Sequence, residues 1–375
     1  MIKPFIKWPG GKSSELNIIH QHLPAQINNY IEPFLGGGAC FLSLDPKMYQ
    51  SAYLNDISYE LISIYSYIQN KNELFNTYLQ EIWRFWNYFG AFADNNYDIL
   101  RKIYTSYKED SVSKAELKEL VRKFVLLRIN EIQMGIPQHL SIDKKAFINQ
   151  LGKSIYSKLT TIKNNEDKRG NLPEEDYKKN FEAGIKAAVY TYNRYLYNNR
   201  DQLNISPELH IALFFYLREY CYSSMFRYNR NKEFNVPYGG ISYNSKDFMS
   251  KIEYIWSKEL GEVLKGVYLS HLDFEEFFKV IQLGKQDFIF VDPPYDTEFS
   301  TYANHEFGLH DQQRLANYLI DDCPARFMII IKNTEFIYNL YNRPGIRIIG
   351  FDKEYQVSFM DRNEKAVNHL LIMNY

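Results

Sequence analysis

The chain has 375 residues, 45% hydrophobic and 24% charged, a globular balance that suits one large domain or two smaller ones. Lys+Arg number 44 against 45 Asp+Glu, a net charge of -1, so any nucleic-acid binding must rest on a local basic face and not on overall charge. Cys40, Cys221 and Cys323 lie far apart with no CxxC pair, which argues against a zinc site or disulfide frame and fits a reducing cytoplasm; the start MIKPFIKWPGGK lacks the apolar core of a signal peptide, and no apolar run nears the ~18 residues of a membrane span.

In chain order, a Gly-rich turn (Pro9, Gly10, Gly11) leads into a helical pattern, SSELNIIHQHL, and then a short strand, NYIEPF. The loop LGGGACF follows, then a second helix, a strand AYLND ending at Asp56, and the helical spacing of YELISIYSYIQ. From Lys71 to Asn204 long helical patterns such as KAELKELVRKFVLL dominate and strand signals nearly vanish, which predicts a helical insertion into an α/β core. From Gly266 the alternation returns: DFIFVD, RFMIIIKN, IRIIGF and NHLLIMNY read as strands, with DQQRLANYLID helical between the first two. Their Ile, Val and Phe runs show little polar alternation, which predicts a parallel sheet covered on both faces.

Gly36, Gly37 and Gly38 stand between a strand and a helix, where glycine lets the backbone approach a ligand and adopt positive φ. A dinucleotide fingerprint needs a further glycine three positions on, and Phe41 stands there. The loop therefore suits an adenosine without phosphates, such as S-adenosylmethionine, better than a pyrophosphate. Asp56 has the spacing of a ribose-binding acid; the plainer alternative is a helix-capping Asp after a Gly-rich turn. In FIFVDPPYDT each proline removes an N–H, fixes its own φ and pushes its predecessor into an extended form. Asp292 and Pro293 are thus held extended, as a ledge with a carboxylate and the Pro293 carbonyl side by side and Tyr295 as a flat face. Two acceptors beside a stacking face suit an exocyclic amino group on a planar base. Accepting both N–H protons frees the nitrogen lone pair for attack on an activated methyl, and Tyr295 would hold a base that has left its duplex. The plainer alternative is a strand terminator.

Taken together, these segments resemble the Dam-like, D12-class family of adenine-N6 DNA methyltransferases, of the type whose cofactor motifs precede the target-recognition region and whose DPPY follows it. FIKWPGGK (Phe5–Lys12), EPFLGGG, NDISYELISIY, CYSSMFRYNRNKEFNVPYGG (Cys221–Gly240), STYANHEFGLHDQQRLA after DPPY, and the terminal HLLIMNY match in the family's order. The resemblance implies a Rossmann-like S-adenosylmethionine-dependent methyltransferase sheet over 1–70 and 245–375, with a largely helical target-recognition insertion over 71–244. It implies methyl transfer from S-adenosylmethionine to N6 of a flipped-out adenine in a specific double-stranded DNA sequence. The enzyme would be monomeric, cytoplasmic and nucleoid-associated, in a bacterium or phage, and the resemblance leaves open a cognate restriction endonuclease.

Carried over position by position, Trp8, Lys12, Phe34, Gly36, Gly38, Asp56, Asp273 and Phe274 would hold the cofactor. Asp292 would touch both cofactor and base, with Pro293, Pro294 and Tyr295 completing the catalytic ledge. No metal is implied. Tyr222, Arg227, Asn229, Arg230, Lys232 and Pro237 would meet DNA. Arg227 fits a guanine-reading arginine, because its fork can bond two acceptors at once; the alternative is a phosphate contact. The chain departs from the family in its long helical segment and in Ser223, Ser224 and Met225, where an Asn-Gly-Leu-like piece is commoner. Rival readings are an RNA or protein amide methyltransferase, a nicotinamide oxidoreductase suggested by the glycines alone, and a binding protein without catalysis. WRFWNYFGAF (Trp83–Phe92) reads as core, His305 and His310 as loop residues. Lys114, Lys118, Arg122, Lys123 and Arg128 suit either a DNA-facing or an ordinary solvated helix surface.

Overall fold

The structure, a computed structural model, describes residues 2–295, 307–353 and 367–375. The chain divides into two compact units, one of Met1–Lys71 with Ile255–Tyr375 and the other of Asn72–Tyr254.

The first unit opens with α1 (Leu16–His22), β1 (Asn29–Glu32), α2 (Ala39–Ser43), β2 (Ser51–Asn55) and α3 (Tyr59–Gln69). Ser58 caps α3 by accepting from the Leu61 N–H, so Asp56 is not the helix cap. The second unit holds α4 (Glu73–Asn95), α5 (Tyr97–Lys108), α6 (Lys114–Leu127), α7 (Ile129–Met134), α8 (Lys144–Arg169), α9 (Glu174–Asn198) and α10 (Pro207–Tyr220), and α11 (Phe248–Ile255) closes it. The first unit then resumes with α12 (Lys258–Leu264), β3 (Tyr268–Ser270), α13 (Phe274–Val280), β4 (Phe288–Val291), α14 (Leu309–Asn317), β5 (Arg326–Lys332), α15 (Glu335–Tyr341), β6 (Arg347–Lys353) and β7 (Val367–Met373).

The seven strands form one sheet in the order β3-β2-β1-β4-β5-β7-β6. The first five are parallel, and β7 runs antiparallel to both β5 and β6. The expectation of a parallel sheet is thus corrected to a mixed one. A strand inserted between two neighbours is buried on both faces whichever way it runs, so apolar composition carries no direction. β3 escapes the sequence reading because three residues with an exposed Tyr268 show no period. On one sheet face Ile31, Ile289, Val291, Phe327, Ile329 and Ile372 share a core with Phe277, Leu315 and Ile337 of α13, α14 and α15. Among the alternate side chains of the strands, Tyr30 meets the Phe41 ring of α2.

In the helical unit, caps set the boundaries. Asn72, Asp143 and Ser206 accept from N–H groups in the first turns of α4, α8 and α10, and Ser113 with Glu116 forms a reciprocal capping box on α6. The short link 170–173, with Gly170 at φ 86°, folds α9 back onto α8. Phe85, Trp86, Phe89 and Phe92 of the aromatic run are buried in α4, as helical spacing predicted. Lys114, Lys118, Arg122 and Lys123 are exposed on α6, with Arg122 paired to Glu119, while Arg128 turns to Asn96 and the Phe124 ring. His310 is exposed in the first turn of α14 and not in a loop; His305 lies outside the described residues. Among the described residues no helix is long and apolar enough to cross a membrane.

Candidate active site

β1 and β4 are hydrogen-bonded neighbours, with Tyr30 opposite Phe288 and Ile31 opposite Ile289. The chain leaves β1 towards β2 on one side and leaves β4 towards β5 on the other. Such a reversal opens a crevice at the carboxyl ends of the strands, where open α/β sheets bind ligands. The glycine loop follows β1, Asp56 follows β2 and Asp292 follows β4, so the sheet alone gathers three sequence-distant motifs at this edge.

The glycine loop is held tightly. Gly36 and Gly38 have φ of 51° and 66°, values that side-chain-bearing residues rarely adopt. A Cβ on Gly36 would lie 2.9 Å from Trp8 Cδ1, and one on Gly38 would collide with the Tyr65 hydroxyl. Trp8 therefore packs on the loop because Gly36 has no side chain. Asp56 Oδ2 accepts from the Gly36 N–H at 2.8 Å, and its Oδ1 accepts from the Ser58 N–H at 2.9 Å. Burial pushes the Asp56 carboxyl up to about 6, against these two bonds, which favour the charged form.

Lys12, only 2% exposed, forms an ion pair with Asp292 and donates to the Gly10 carbonyl at 2.7 Å. Its ammonium also lies 5.3 Å from the centroid of the Tyr295 ring. A lysine so buried needs a counter-charge, and DPPY supplies it. Pro293 is buried, whereas Asp292, Pro294 and Tyr295 are half-buried. Phe34 and Phe274 approach at 5.7 Å between ring centroids, and both meet Phe307. Asp273 caps α13 and pairs with Arg314, whose guanidinium also bonds Glu275 and Asp311 and covers the Phe274 ring. The structure thus brings Trp8 to Gly36, Lys12 to Asp292 and Tyr295, Asp56 to Gly36, and Phe34 to Phe274.

Four residues at this edge were not picked out from the sequence. Asn55, buried, donates to the Pro33 and Leu272 carbonyls and accepts from Ser270 Oγ and the Leu272 N–H, all within 3.1 Å. It stitches the ends of β1, β2 and β3 together. Glu32 is buried and accepts from the Tyr30 hydroxyl at 2.8 Å, with burial pushing its carboxyl up. Gln312 and Arg314 reach back from α14 to DPPY and to Asp273. Asn55 adjoins Asp56 and Glu32 opens EPFLGGG, so adjacency was the available signal for these two. Gln312 and Arg314 stand in STYANHEFGLHDQQRLA, which the resemblance marks as a segment without giving either residue a role.

In the helical unit, the stretch 221–240 is a hairpin closed by antiparallel bridges, Cys221 to Tyr238 and Tyr228 to Phe234. Its residues alternate: Phe226, Phe234 and Val236 are buried, while Arg227, Asn235 and Pro237 are exposed. Phe226 stacks on Phe234 at 4.3 Å and lies under Arg218 at 4.7 Å. α9 grips the second arm: Tyr190 and Arg194 donate to the Val236 carbonyl, and the Asn198 amide makes both bonds to the Phe234 backbone. At the tip, Asn229 Oδ1 accepts from the Asn231 and Glu233 N–H groups and its Nδ2 donates to Glu233, so the Asn229 amide is engaged in building the turn. Arg230 and Lys232 are exposed there, Lys232 at φ 61°. Tyr222 is 49% exposed and its N–H bonds the Pro237 carbonyl.

Comparison with known proteins gives the family. The profile described as D12 class N6 adenine-specific DNA methyltransferase matches residues 8–135 and 138–357. Over its whole length the chain is 26% identical to a protein named Type II methyltransferase M.MjaIII of Methanocaldococcus jannaschii, covering 99% of that protein. It is 22% identical to Type II methyltransferase M.CviBI of Paramecium bursaria Chlorella virus NC1A, with both chains fully covered. A DNA adenine methylase of Serratia marcescens is 22% identical over 99% of this chain and 98% of its own. Since the match runs through the crevice motifs, the helical unit and the hairpin alike, the chain belongs to the D12 class of N6 adenine-specific DNA methyltransferases.

Proposed function

We propose that the methyl group comes from S-adenosylmethionine, bound on a Rossmann-like methyltransferase sheet, and passes to the N6 of an adenine rotated out of duplex DNA, with the 221–240 hairpin reading the sequence. The residues at the crevice fit this cofactor. A carboxylate has about four acceptor positions, and backbone N–H groups occupy two on Asp56, which leaves two for the paired ribose hydroxyls. The glycine loop offers close backbone approach, and Trp8, Phe34 and Phe274 offer apolar faces to an adenosine. When bound, the cofactor supplies an electrophilic sulfonium methyl.

The chain's own part is positioning and proton handling. The Asp292 carboxylate and the Pro293 carbonyl accept from the two N6–H bonds and turn the nitrogen lone pair outward. Tyr295 stacks on the extruded base. Lys12 compensates the Asp292 charge. An Asp292 oxygen is also the acceptor for the proton that the methylated amine must lose.

The observation that carries this reading is the ion pair between Lys12, from the N-terminal motif, and Asp292, from DPPY at the β4 end. The test is transfer of labelled methyl from S-adenosylmethionine to unmethylated DNA, with RNA and protein as parallel acceptors. Asp292→Ala should lower turnover by more than about 100-fold, as expected when a preorganised acceptor is lost. Turnover near that of the unaltered enzyme in a folded Asp292→Ala protein would sink the mechanism, and label in RNA or protein alone would sink the substrate.

A further inference from the structure

Gln312 lies in the first turns of α14 and has no exposed surface. Its Nε2 donates to the Pro294 carbonyl at 2.9 Å. The other end of the same amide, Oε1, is buried without a hydrogen-bond partner among the described residues. An orphaned buried acceptor costs at least as much as one ordinary hydrogen bond returns, so stability alone does not explain a glutamine here. An apolar side chain of similar size would remove this orphan, at the cost of the bond to the Pro294 carbonyl.

What the amide does is local and geometric. Proline fixes φ at positions 293 and 294 but leaves ψ of Pro294 free. That torsion sets the peptide plane between Pro294 and Tyr295, and so the direction in which Tyr295 leaves the ledge. A donor placed on the Pro294 carbonyl removes this remaining freedom. The donor is itself well anchored. Asp311 accepts from the Gly308 N–H at 2.9 Å at the start of α14, and Arg314 ties the helix to Asp273 and Glu275.

We infer that Gln312 is a positioning residue that sets the Pro294–Tyr295 peptide plane and thereby completes the ledge that receives the target amine. The inference rests on the reading of Asp292–Tyr295 as that ledge, so the experiment carries Asp292→Ala alongside. Single-turnover methyl transfer to unmethylated genomic DNA at saturating S-adenosylmethionine is measured for Gln312→Leu and Gln312→Glu, together with cofactor affinity and thermal midpoint. Gln312→Leu should be slower by about tenfold or more, the scale of a small misplacement of reacting groups. Its cofactor affinity should stay within about twofold and its midpoint should change little, because the lost bond to Pro294 and the removed orphan acceptor oppose each other. In Gln312→Glu the introduced carboxyl can donate the bond when protonated and cannot when ionised. The rate of Gln312→Glu relative to the unaltered enzyme should therefore rise as pH falls even where its thermal midpoint lies well above the assay temperature at every pH, which a merely structural role would not produce. Overturning results are a Gln312→Leu rate within twofold of the unaltered enzyme while Asp292→Ala is inactive, or a rate loss that only tracks a lowered midpoint. An active Asp292→Ala enzyme would remove the ledge reading itself, and this inference with it.

Discussion

Asp56 has a structural part in the fold, and we propose that it also holds the cofactor's ribose. It ties the glycine loop to the start of α3 through two backbone N–H groups, yet burial still holds its carboxyl up at about 6. A raised carboxyl favours the fold below its unfolded value near 4, and that contribution is lost as pH rises through about 6. At neutral pH the folded chain therefore carries a costly buried carboxylate, which two ribose hydroxyls would stabilise. Affinity for S-adenosylmethionine should accordingly fall as pH is lowered through about 6, approaching tenfold per pH unit if only the ionised form binds. Calorimetry between pH 5 and 8 measures this directly. Asp56→Ala should bind more weakly and lose the pH step, and a flat profile for the unaltered enzyme would assign Asp56 to structure alone. Asn55 beside it has its two donors and its amide oxygen all engaged in holding three strand ends together.

At the scale of elements, the α8–α9 pair is pinned by one carboxylate. Glu166, 6% exposed near the end of α8, accepts from the hydroxyls of Tyr104 and Tyr177, from Lys108 at 3.1 Å and from the Leu172 N–H at 2.8 Å. Burial alone would raise its carboxyl, but these four donors outweigh it and pull it down to about 2. A depressed carboxyl stabilises the fold above its unfolded value near 4.5, and the contribution disappears as pH falls towards about 2. Glu166→Gln should cost about 3 kcal/mol at pH 7, the worth of a shift of this size, and should flatten the acid limb of unfolding between pH 4.5 and 2. Urea unfolding followed by circular dichroism at several pH values gives both numbers. An unchanged acid limb would mean that the four donors contribute nothing net. α9 works on its other flank too, since Tyr190, Arg194, Tyr197 and Asn198 recur at helical spacing and hold the hairpin from one side.

For the molecule as a whole, a net charge of -1 means that overall charge does not attract DNA, so affinity must come from local groups of cations. The hairpin concentrates three exposed ones, Arg227, Arg230 and Lys232. If Arg227 reads a base edge, Arg227→Ala should cost about 1–3 kcal/mol at the cognate site and relax specificity at one position. Arg230→Ala and Lys232→Ala should instead weaken all sequences alike, each lowering the salt slope of binding by about 0.9. Methylation of a library of single-base site variants at several salt concentrations separates the two behaviours. A uniform loss across the library for Arg227→Ala would make it a phosphate contact.

Local conformation was legible in the chain itself: the glycine loop between strand and helix, with positive φ at Gly36 and Gly38, and the aromatic core of α4 declare themselves through residue type and spacing. Most helix and strand positions, though not the three-residue β3, follow from the same short-range rules, because caps, prolines and apolar periods act within a few residues. Strand direction does not, and the antiparallel β7 was read as parallel because burial on both faces looks the same either way. Partners are likewise undetermined by local pattern. That Lys12 meets Asp292, that Asn55 joins Pro33 to Leu272, and that Gln312 and Arg314 reach back from α14 are decided by which strand ends the sheet places side by side. Hydrogen bonds and ion pairs act over about 3–4 Å, so only the packed chain, by setting those distances, turns scattered polar residues into one crevice.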